Sequence, residues 1–320
     1  MSTPVVTVIV PGRDVASYAD DALASLRAQT FTAWRAILVD DGSLDGTGAV
    51  YAAAAANDAR FTVLTHPAAR GLSAARNAGL DLVDTPFVGF LDADDVLLPH
   101  ALERFVETLT RTGSDIVVGA YVRLRADESG QYRPGTVQPW VRASTEPERL
   151  GTTLAAHPQL SGNVVAWSKL SRVELWRRTG LRFPEGKLYE DQLVSQRLYV
   201  AARAVDVIPD VVVHWRERAD GTSITQNKNM LPVLADYLEA LSGGIAVLDA
   251  AGQREASRAR IRLILEMDVP PLVEIARTSP EDGYRRLLGA FIRSLHERAD
   301  AESIALDPRA AERRNAAELW

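Results

Sequence analysis

The stretch TPFVGFLDADDVLLPH, residues 85–100, joins a short apolar run to three closely spaced aspartates. Residues 87–91 are typical of a buried strand, and Pro99 indicates the start of a helix. Side chains two positions apart on an extended segment point the same way, so Asp92 and Asp94 can share one hard cation while Asp95 points elsewhere. Carboxylates this close repel each other unless a cation lies between them. The stretch therefore predicts a cation or diphosphate site at the carboxyl end of a core strand.

A purely structural interpretation of these aspartates stays open. Asp95 alone fits the N-cap of a helix that begins near residue 98 or 99. A D-x-D pattern by itself is a weak motif, so the neighbouring chain has to support the functional interpretation.

Strands and helices alternate in the residues that precede this stretch. The apolar pattern predicts strands at residues 5–10, 35–39 and 61–65, and helices at 18–29, 45–57 and 71–83. Such alternation predicts a parallel sheet, whose ligands bind at the carboxyl ends of the strands. Asp40 and Asp41 end the second strand, so one crevice can hold both acidic groups. The turn PGRDVASY after the first strand has one glycine where a dinucleotide-binding loop needs three.

The composition is that of an ordinary globular protein. The chain has 320 residues, 47% hydrophobic and 24% charged, with a net charge of −6, and no basic tract that predicts nucleic-acid binding. Cysteine is absent, which excludes disulfides and thiolate metal sites. The N-terminus lacks a basic signal-peptide region, and we expect no stretch of membrane-spanning length. These features predict a cytoplasmic protein with no transmembrane segment, whose membrane contacts would be peripheral.

Seven segments, in this order and spacing, resemble the family-2 inverting glycosyltransferases with the GT-A fold. They are VTVIVPGRDVASYADDALASLRAQTFTAW, VDDGSLDGT, GLSAARNAGL, FVGFLDADD, WSKLSRVEL, FPEGKLYEDQL and HWRERADGTSIT, which together lie within residues 5–225. The resemblance implies an α/β fold with a mixed, mostly parallel sheet flanked by helices. It also implies transfer of a sugar from a nucleotide-sugar, a UDP-sugar above all, to a hydroxyl of a cell-surface glycan, glycopolymer or glycolipid, with Mn²⁺ or Mg²⁺ as cofactor.

The resemblance assigns a donor-binding set. Asp41 is expected to accept the uracil N–H, and Arg76 on the third helix to face the nucleotide or its diphosphate. The expected nucleotide-sugar-binding residues are Pro11, Asp14, Asp40, Asp41, Arg76, Asn77, Asp92, Ala93, Trp167, Lys169, Arg216, Arg218 and Ser223. Residues 221–225 are expected to close over the bound diphosphate. A simple turn at residues 40–43 and a solvated face around Arg76 are the structural alternatives.

The resemblance also assigns the metal ligands and the base. Asp94 is the expected direct ligand, Asp92 reaches the metal or the ribose, and His214 is a further candidate, although a lone histidine on a strand is more often structural. Asp191 is the expected general base, with Glu190 as its hydrogen-bonding neighbour. Acidic residues in the first turn of a helix also have a structural explanation, because they interact well with the helix dipole.

The C-terminal quarter carries no recognisable motif. We expect a catalytic domain at residues 1–226 and a helical region at 227–320, with helices at 231–248, 253–266 and 283–296 separated by a glycine pair at 243–244 and a proline pair at 270–271. Packing on the catalytic domain is the default role, and a homo-oligomer contact or acceptor binding are the others. A nucleotidyltransferase and a non-catalytic sugar-nucleotide binder remain the rival functions.

Overall fold

The computed structural model describes residues 3–219, 221, 227–318 and 320. The expected closing loop therefore lies almost wholly outside the described residues, and Ser223 lies outside them altogether. Within the described part, the strands form a ten-stranded mixed sheet. Its order is β3 (Phe61–Thr65), β2 (Trp34–Asp40), β1 (Val6–Gly12), β4 (Phe87–Phe90), β9 (Lys169–Arg172), β6 (Ile116–Ala126), β10 (Val205–Arg216) and β5 (Val96–Leu97), with β7 (Tyr132–Pro134) beside β6 and β8 (Arg149–Thr152) beside β10.

The first ninety residues confirm the predicted alternation. Its elements are β1 (Val6–Gly12), α1 (Ala16–Arg27), β2 (Trp34–Asp40), α2 (Thr47–Asn57), β3 (Phe61–Thr65), α3 (Leu72–Asp81) and β4 (Phe87–Phe90). The pairs β2/β3, β1/β2 and β1/β4 are all parallel. The chain reverses its direction across the sheet between β1 and β4, and a crevice at the carboxyl ends of the strands is expected at such a point.

The middle of the chain extends this sheet. Its elements are β5 (Val96–Leu97), α4 (Ala101–Thr112), β6 (Ile116–Ala126), β7 (Tyr132–Pro134), α5 (Pro139–Thr145), β8 (Arg149–Thr152), β9 (Lys169–Arg172), α6 (Val173–Thr179), α7 (Glu190–Ala201) and β10 (Val205–Arg216). Strand β9 is antiparallel to both β4 and β6, whereas β6 and β10 are parallel. The sheet is thus mixed and mostly parallel around β1, as expected.

The two faces of the sheet bury different helices. Along β1, Val8 and Val10 join a core cluster with α1, α2 and α4, whereas Ile9 joins a second cluster with α3, α6 and α7. This follows from the two-residue period of a strand, which sends successive side chains to opposite faces.

The N-cap interpretation of Asp95 is wrong. Helix α4 begins at Ala101 with His100 before it, five residues further on. Asp95 is buried instead, and its Oδ1 accepts a hydrogen bond from the backbone N–H of Arg216 (2.8 Å).

The C-terminal helices share a third apolar cluster. They are α8 (Leu231–Ala250), α9 (Arg254–Leu263), a π-helical turn (Ile264–Asp268), α10 (Val269–Thr278), α11 (Asp282–Ala301) and α12 (Pro308–Glu318). The break expected at the glycine pair is wrong, because Gly243 and Gly244 lie within α8, where a Cβ on Gly244 would be 3.4 Å from Gln196 Cγ of α7. The proline pair lies in the first turn of α10, after the π-helical turn, where a missing N–H costs little.

Among the described residues, α8 is the one helix whose length and composition would suffice to cross a membrane. The prediction that no stretch reaches that length is therefore wrong. One face of α8 is nevertheless buried in the third cluster, and Asp236 and Glu239 on the helix form ion pairs with Lys187 at 3.3 and 2.7 Å. A core helix of a globular domain has the same properties.

Candidate active site

The carboxyl ends of the central strands open into a cleft of about 1100 Å³, and the C-terminal helices contribute part of its wall. Most of the predicted site residues meet there. Those that line the cleft are Pro11, Asp14, Asp41, Arg76, Asp92, Ala93, Asp94, Trp167, Glu190, Asp191 and Arg218. Residues from seven strands and helices or the turns beside them, some more than 100 positions apart in the sequence, thus face one space.

Asp41 is held in one orientation at the end of β2. Its Oδ1 accepts a hydrogen bond from the backbone N–H of Arg70 (2.9 Å), its Oδ2 accepts one from Gly71 (2.7 Å), and His66 Nδ1 lies 2.7 Å from Oδ1. Burial by itself would raise the pKa of Asp41, but these hydrogen bonds outweigh it and lower the pKa. The cleft therefore presents a fixed, ionised acceptor at this end.

Arg76 connects the aspartate cluster to the start of α7. Its side chain is only 2% exposed, its Nη2 donates to Asp92 Oδ1 (2.7 Å), and its Nη1 donates to Glu190 Oε1. Burial opposes the charge of Arg76, but Asp92 and Glu190 outweigh it and raise the pKa of the guanidinium. One buried cation therefore joins carboxylates that are nearly 100 residues apart.

Asp94 and Asp95 contact two arginines: Arg216 is the last residue of β10, and Arg218 follows that strand. Arg218 Nε donates to Asp94 Oδ2 (2.7 Å), and Arg216 Nε donates to the Asp94 carbonyl (2.7 Å). Burial raises the pKa of Asp94, with Arg218 opposing and Asp92 adding to the rise. Burial and the two neighbouring aspartates raise the pKa of Asp95 well above its usual range, and its Oδ2 has no hydrogen-bond partner among the described residues. Burial is thus the main cause of both raised pKa values.

Asp191 lies in the first turn of α7, beside Glu190. Burial raises its pKa to about 7, the charge of Glu190 adds to the rise, and Arg76 opposes it. A carboxyl group with this pKa exists in both protonation states at neutral pH, which is the property that a general base requires.

Five predicted site residues lie outside the cleft lining. Asp40 accepts the backbone N–H of Ser43 (3.1 Å) and closes the turn after β2. His214 is half-buried on β10, and its neighbour Trp215 faces the cleft instead. The other three are Asn77, Lys169 and Arg216.

Asn77, Lys169 and Arg216 contact residues outside the cleft lining. Asn77 donates to the Phe183 carbonyl and accepts from the Phe183 N–H, both at 2.9 Å. Lys169 is buried, and its ammonium donates to Asn163 Oδ1 (3.0 Å) and to the Val165 carbonyl. Burial lowers its pKa to about 7. Arg216 is buried, pairs with Asp21 (2.8 Å) and lies over the Tyr132 ring at 4.4 Å.

Several cleft residues have no counterpart in the sequence prediction. They are mainly aromatic and charged: Tyr121, Arg123, Trp140, Tyr189, Trp215, Lys228, Tyr237, Arg260 and Asp268. Tyr189 directly precedes the Glu190–Asp191 pair and has a positive φ of 58°, which turns the chain into α7. Its position beside the predicted base is the one signal that the sequence offered for this group.

The described residues contain no group of three or more His, Cys, Asp or Glu side chains that could hold a metal ion by themselves. Asp92 and Asp94 therefore offer at most part of a coordination shell.

Comparison with known proteins places this cleft in a family. The model of glycosyl transferase family 2 matches residues 7–165. The chain is 29% identical to the uncharacterized glycosyltransferase EpsJ of Bacillus subtilis over 74% of its own length and 67% of the relative's. The chain belongs to glycosyl transferase family 2, and it is a glycosyltransferase.

Solved structures share the fold. TarS 1-349 of S. aureus in complex with UDP-GlcNAc superposes with a TM-score of 0.72 at 20% identity, covering 92% of this chain and 83% of that one. The mannosyltransferase PcManGT of Pyrobaculum calidifontis, in complex with GDP-Man and Mn²⁺, superposes with a TM-score of 0.58 at 16% identity, covering 99% and 85%. The fold is therefore GT-A-like, with a helical C-terminal region.

Proposed function

We propose that the protein is a metal-dependent, inverting glycosyltransferase that moves a sugar from a UDP-sugar to a hydroxyl of a cell-surface glycan or glycopolymer, with Asp191 as the general base. The observation that carries the proposal is the Arg76 bridge between Asp92 and Glu190. It brings the aspartates at the end of β4 and the carboxylates of α7 into one cleft, as a reaction between a donor and an acceptor requires.

The donor side of the proposal rests on Asp41. Its ionised carboxylate is fixed by two backbone N–H groups and is suited to accept a hydrogen bond from the imide N–H of a uracil ring. Pro11 and Asp14 line the same cleft as Asp41. The UDP-GlcNAc complex of TarS supports a UDP-sugar as donor.

The chemistry of Asp92 and Asp94 fits a divalent cation. Carboxylate oxygens are the ligands that Mg²⁺ and Mn²⁺ prefer. Burial, followed by the charge of Asp92, raises the pKa of Asp94, and Arg218 opposes this rise without cancelling it. Two carboxylates leave room for diphosphate oxygens to complete the shell. Such an ion would neutralise the charge that develops on the leaving nucleotide. The Mn²⁺ complex of PcManGT supports this cofactor.

The catalytic role of α7 is proton removal. In a single displacement, Asp191 takes the proton of the acceptor hydroxyl as that oxygen attacks the anomeric carbon from the side opposite the leaving group. Glu190 is held by Arg76 and keeps the first turn of α7 in place, so that Asp191 stays in the cleft.

We further propose that the enzyme works at the cytoplasmic side of the membrane, through peripheral contact.

The test compares three variants in the presence of Mn²⁺, with UDP-GlcNAc as the first of a panel of nucleotide-sugars. We expect Asp191→Asn to slow cleavage of the active donor by about 10²- to 10⁴-fold while UDP still binds. Asp94→Asn should weaken Mn²⁺-dependent UDP binding. Asp84→Asn, an exposed aspartate paired with Arg35 outside the cleft, is the matched control and should stay within about twofold of the wild type.

Two results would contradict the proposal. If no nucleotide-sugar of the panel binds or is cleaved, the chain is not a sugar-nucleotide-dependent enzyme of this kind. Release of pyrophosphate from a nucleoside triphosphate and a sugar phosphate would instead identify a nucleotidyltransferase.

A further inference from the structure

The cleft contains two basic side chains, Arg123 and Lys228, that have no carboxylate oxygen within 4.0 Å in the part of the chain that the structure describes. Every other lysine or arginine that lines the cleft has a carboxylate within 4.0 Å. These paired side chains are Arg13, Arg76, Lys187, Arg218 and Arg260. Unpaired cations in a partly buried site are costly, because neither water nor a counter-charge fully stabilises them.

Aromatic rings hold both cations in place. The Arg123 guanidinium lies 5.3 Å from the Trp215 ring centre and 5.8 Å from that of Trp140, and its buried Nε has no hydrogen-bond partner among the described residues. The Lys228 ammonium lies 3.9 Å from the Tyr237 ring centre and 5.5 Å from that of Tyr189. Ring faces orient a cation but leave its charge in place. The donors of both side chains are thus pre-organised for an anion.

The charge of Arg123 acts on Lys228 within the cleft that both line. Burial lowers the pKa of Lys228, Asp268 opposes the change, and the charge of Arg123 lowers the pKa further. Two positive charges that repel one another across a cleft are stabilised when an anion binds between them.

Their place in the fold is the side of the cleft away from Asp41. Arg123 is on β6, which β4 and β9 separate from β1, whereas Asp41 follows β2 on the other side of β1. Lys228 contacts Tyr189, the residue before Glu190 and Asp191. The cations therefore flank the proposed base and not the proposed uracil pocket.

We propose that Arg123 and Lys228 form a subsite for an anionic group, a phosphate or a carboxylate, carried by the acceptor glycan. This inference rests on the proposed function, because it assumes that the Asp191 side of the cleft receives the acceptor. It assigns part of the acceptor site to the segment that leads into the C-terminal helices. It also predicts that the enzyme prefers charged acceptors to neutral ones.

Calorimetric titration of the UDP-saturated full chain tests the inference. The probes are sn-glycerol 3-phosphate and glucuronate, with glycerol and glucose as matched neutral compounds. We expect at least one of the two anions to bind and both neutral compounds to show no binding. Arg123→Gln and Lys228→Gln should each weaken binding of that anion by about tenfold or more. Whether the phosphate or the carboxylate binds more tightly identifies the charged group of the acceptor.

Two control variants separate this subsite from general effects of charge and folding. Arg125→Gln removes the same charge two residues further along β6, where Arg125 is exposed and paired with Glu217, and should change anion affinity by less than about twofold. Lys228→Arg keeps the charge and should retain most of the affinity. Thermal stability of the Gln variants that is no lower than that of the wild type confirms that the loss reflects binding.

The outcomes are distinguishable. If neither anion binds while UDP does, the subsite is overturned and the proposed function stands. If the Gln variants weaken UDP binding as much as anion binding, the cations serve the donor diphosphate, and the inference is again overturned. If UDP and every other donor nucleotide fail to bind, the proposed function fails and the inference fails with it.

Discussion

The protonation state of Asp191 sets the pH range in which the enzyme can work. The base form is the ionised carboxylate, which is present above its pKa and lost below it. With the pKa raised to about 7, kcat/KM should fall about tenfold for each pH unit below 7 and level off above it. If Asp191 had the ordinary aspartate pKa of 3.8, kcat/KM would not change with pH down to about pH 5.

The measurement is a profile of kcat/KM between pH 5 and pH 9 at saturating metal, with Asp84→Asn as the control that should reproduce the wild-type curve. A rate that stays constant from pH 8 to pH 5 would show that Asp191 does not remove the proton.

The sequence indicated the acidic residues of the cleft better than the basic ones. Asp41, Asp92, Asp94 and Asp191 all line it, because strand ends and helix starts can be read from local patterns and such ends meet at one edge of a parallel sheet. Lys169 does not line it, because its ammonium donates to Asn163 and to the Val165 carbonyl, contacts that no local sequence pattern reveals.

At the scale of single elements, the hydrogen bonds between Asn77 of α3 and the segment before α7 keep the start of α7, with Glu190 and Asp191, in position. Asn77 makes both of its strong contacts with the backbone of Phe183, and this segment leads on to Glu190. Removing a buried amide costs about 1–3 kcal/mol because the backbone groups lose their partners. We expect Asn77→Ala to lower the free energy of unfolding by this amount and to lower kcat more than UDP affinity.

Chemical denaturation and steady-state kinetics measure both effects. Asn57→Ala on α2 is the control, since Asn57 is exposed and donates only to Ala53 of its own helix. Unchanged stability and turnover in Asn77→Ala would show that the Phe183 segment is held by other contacts.

Element boundaries followed the sequence where a local signal was strong. Helix α7 begins at Glu190, as the acidic pair suggested, and β3 has the predicted bounds. The break expected at the glycine pair is wrong for a tertiary reason: Gly244 lies within α8, where it packs against Gln196 of α7. Nothing in the local sequence distinguishes a packing glycine from a helix-ending one.

At the scale of the whole molecule, the C-terminal helices and the sheet domain form one cleft and should unfold together. Arg260 Nη2 of α9 donates to Gln192 Oε1 of α7 (2.9 Å), and Leu241 of α8 is buried in the third cluster. Leu241→Ala leaves a cavity and should lower the free energy of unfolding by about 2–5 kcal/mol. We expect one transition that tryptophan fluorescence and circular dichroism report at the same denaturant concentration.

Leu287→Ala on α11 is the matched control, because Leu287 is 36% exposed and its loss should cost less than about 1 kcal/mol. Two separate transitions in Leu241→Ala would contradict the coupling. The contribution of these helices to the cleft could not be predicted, because their apolar spacing reveals a buried face but not the surface that covers it.

The central claim, a single displacement at the anomeric carbon, is tested most directly by the configuration of the first product. Proton NMR of the released sugar, recorded in the first minutes of UDP-GlcNAc cleavage or of cleavage of whichever α-linked UDP-sugar proves active, reads this configuration before the anomers equilibrate. Attack opposite the leaving group predicts that the β anomer appears first. Initial formation of the α anomer would contradict the mechanism.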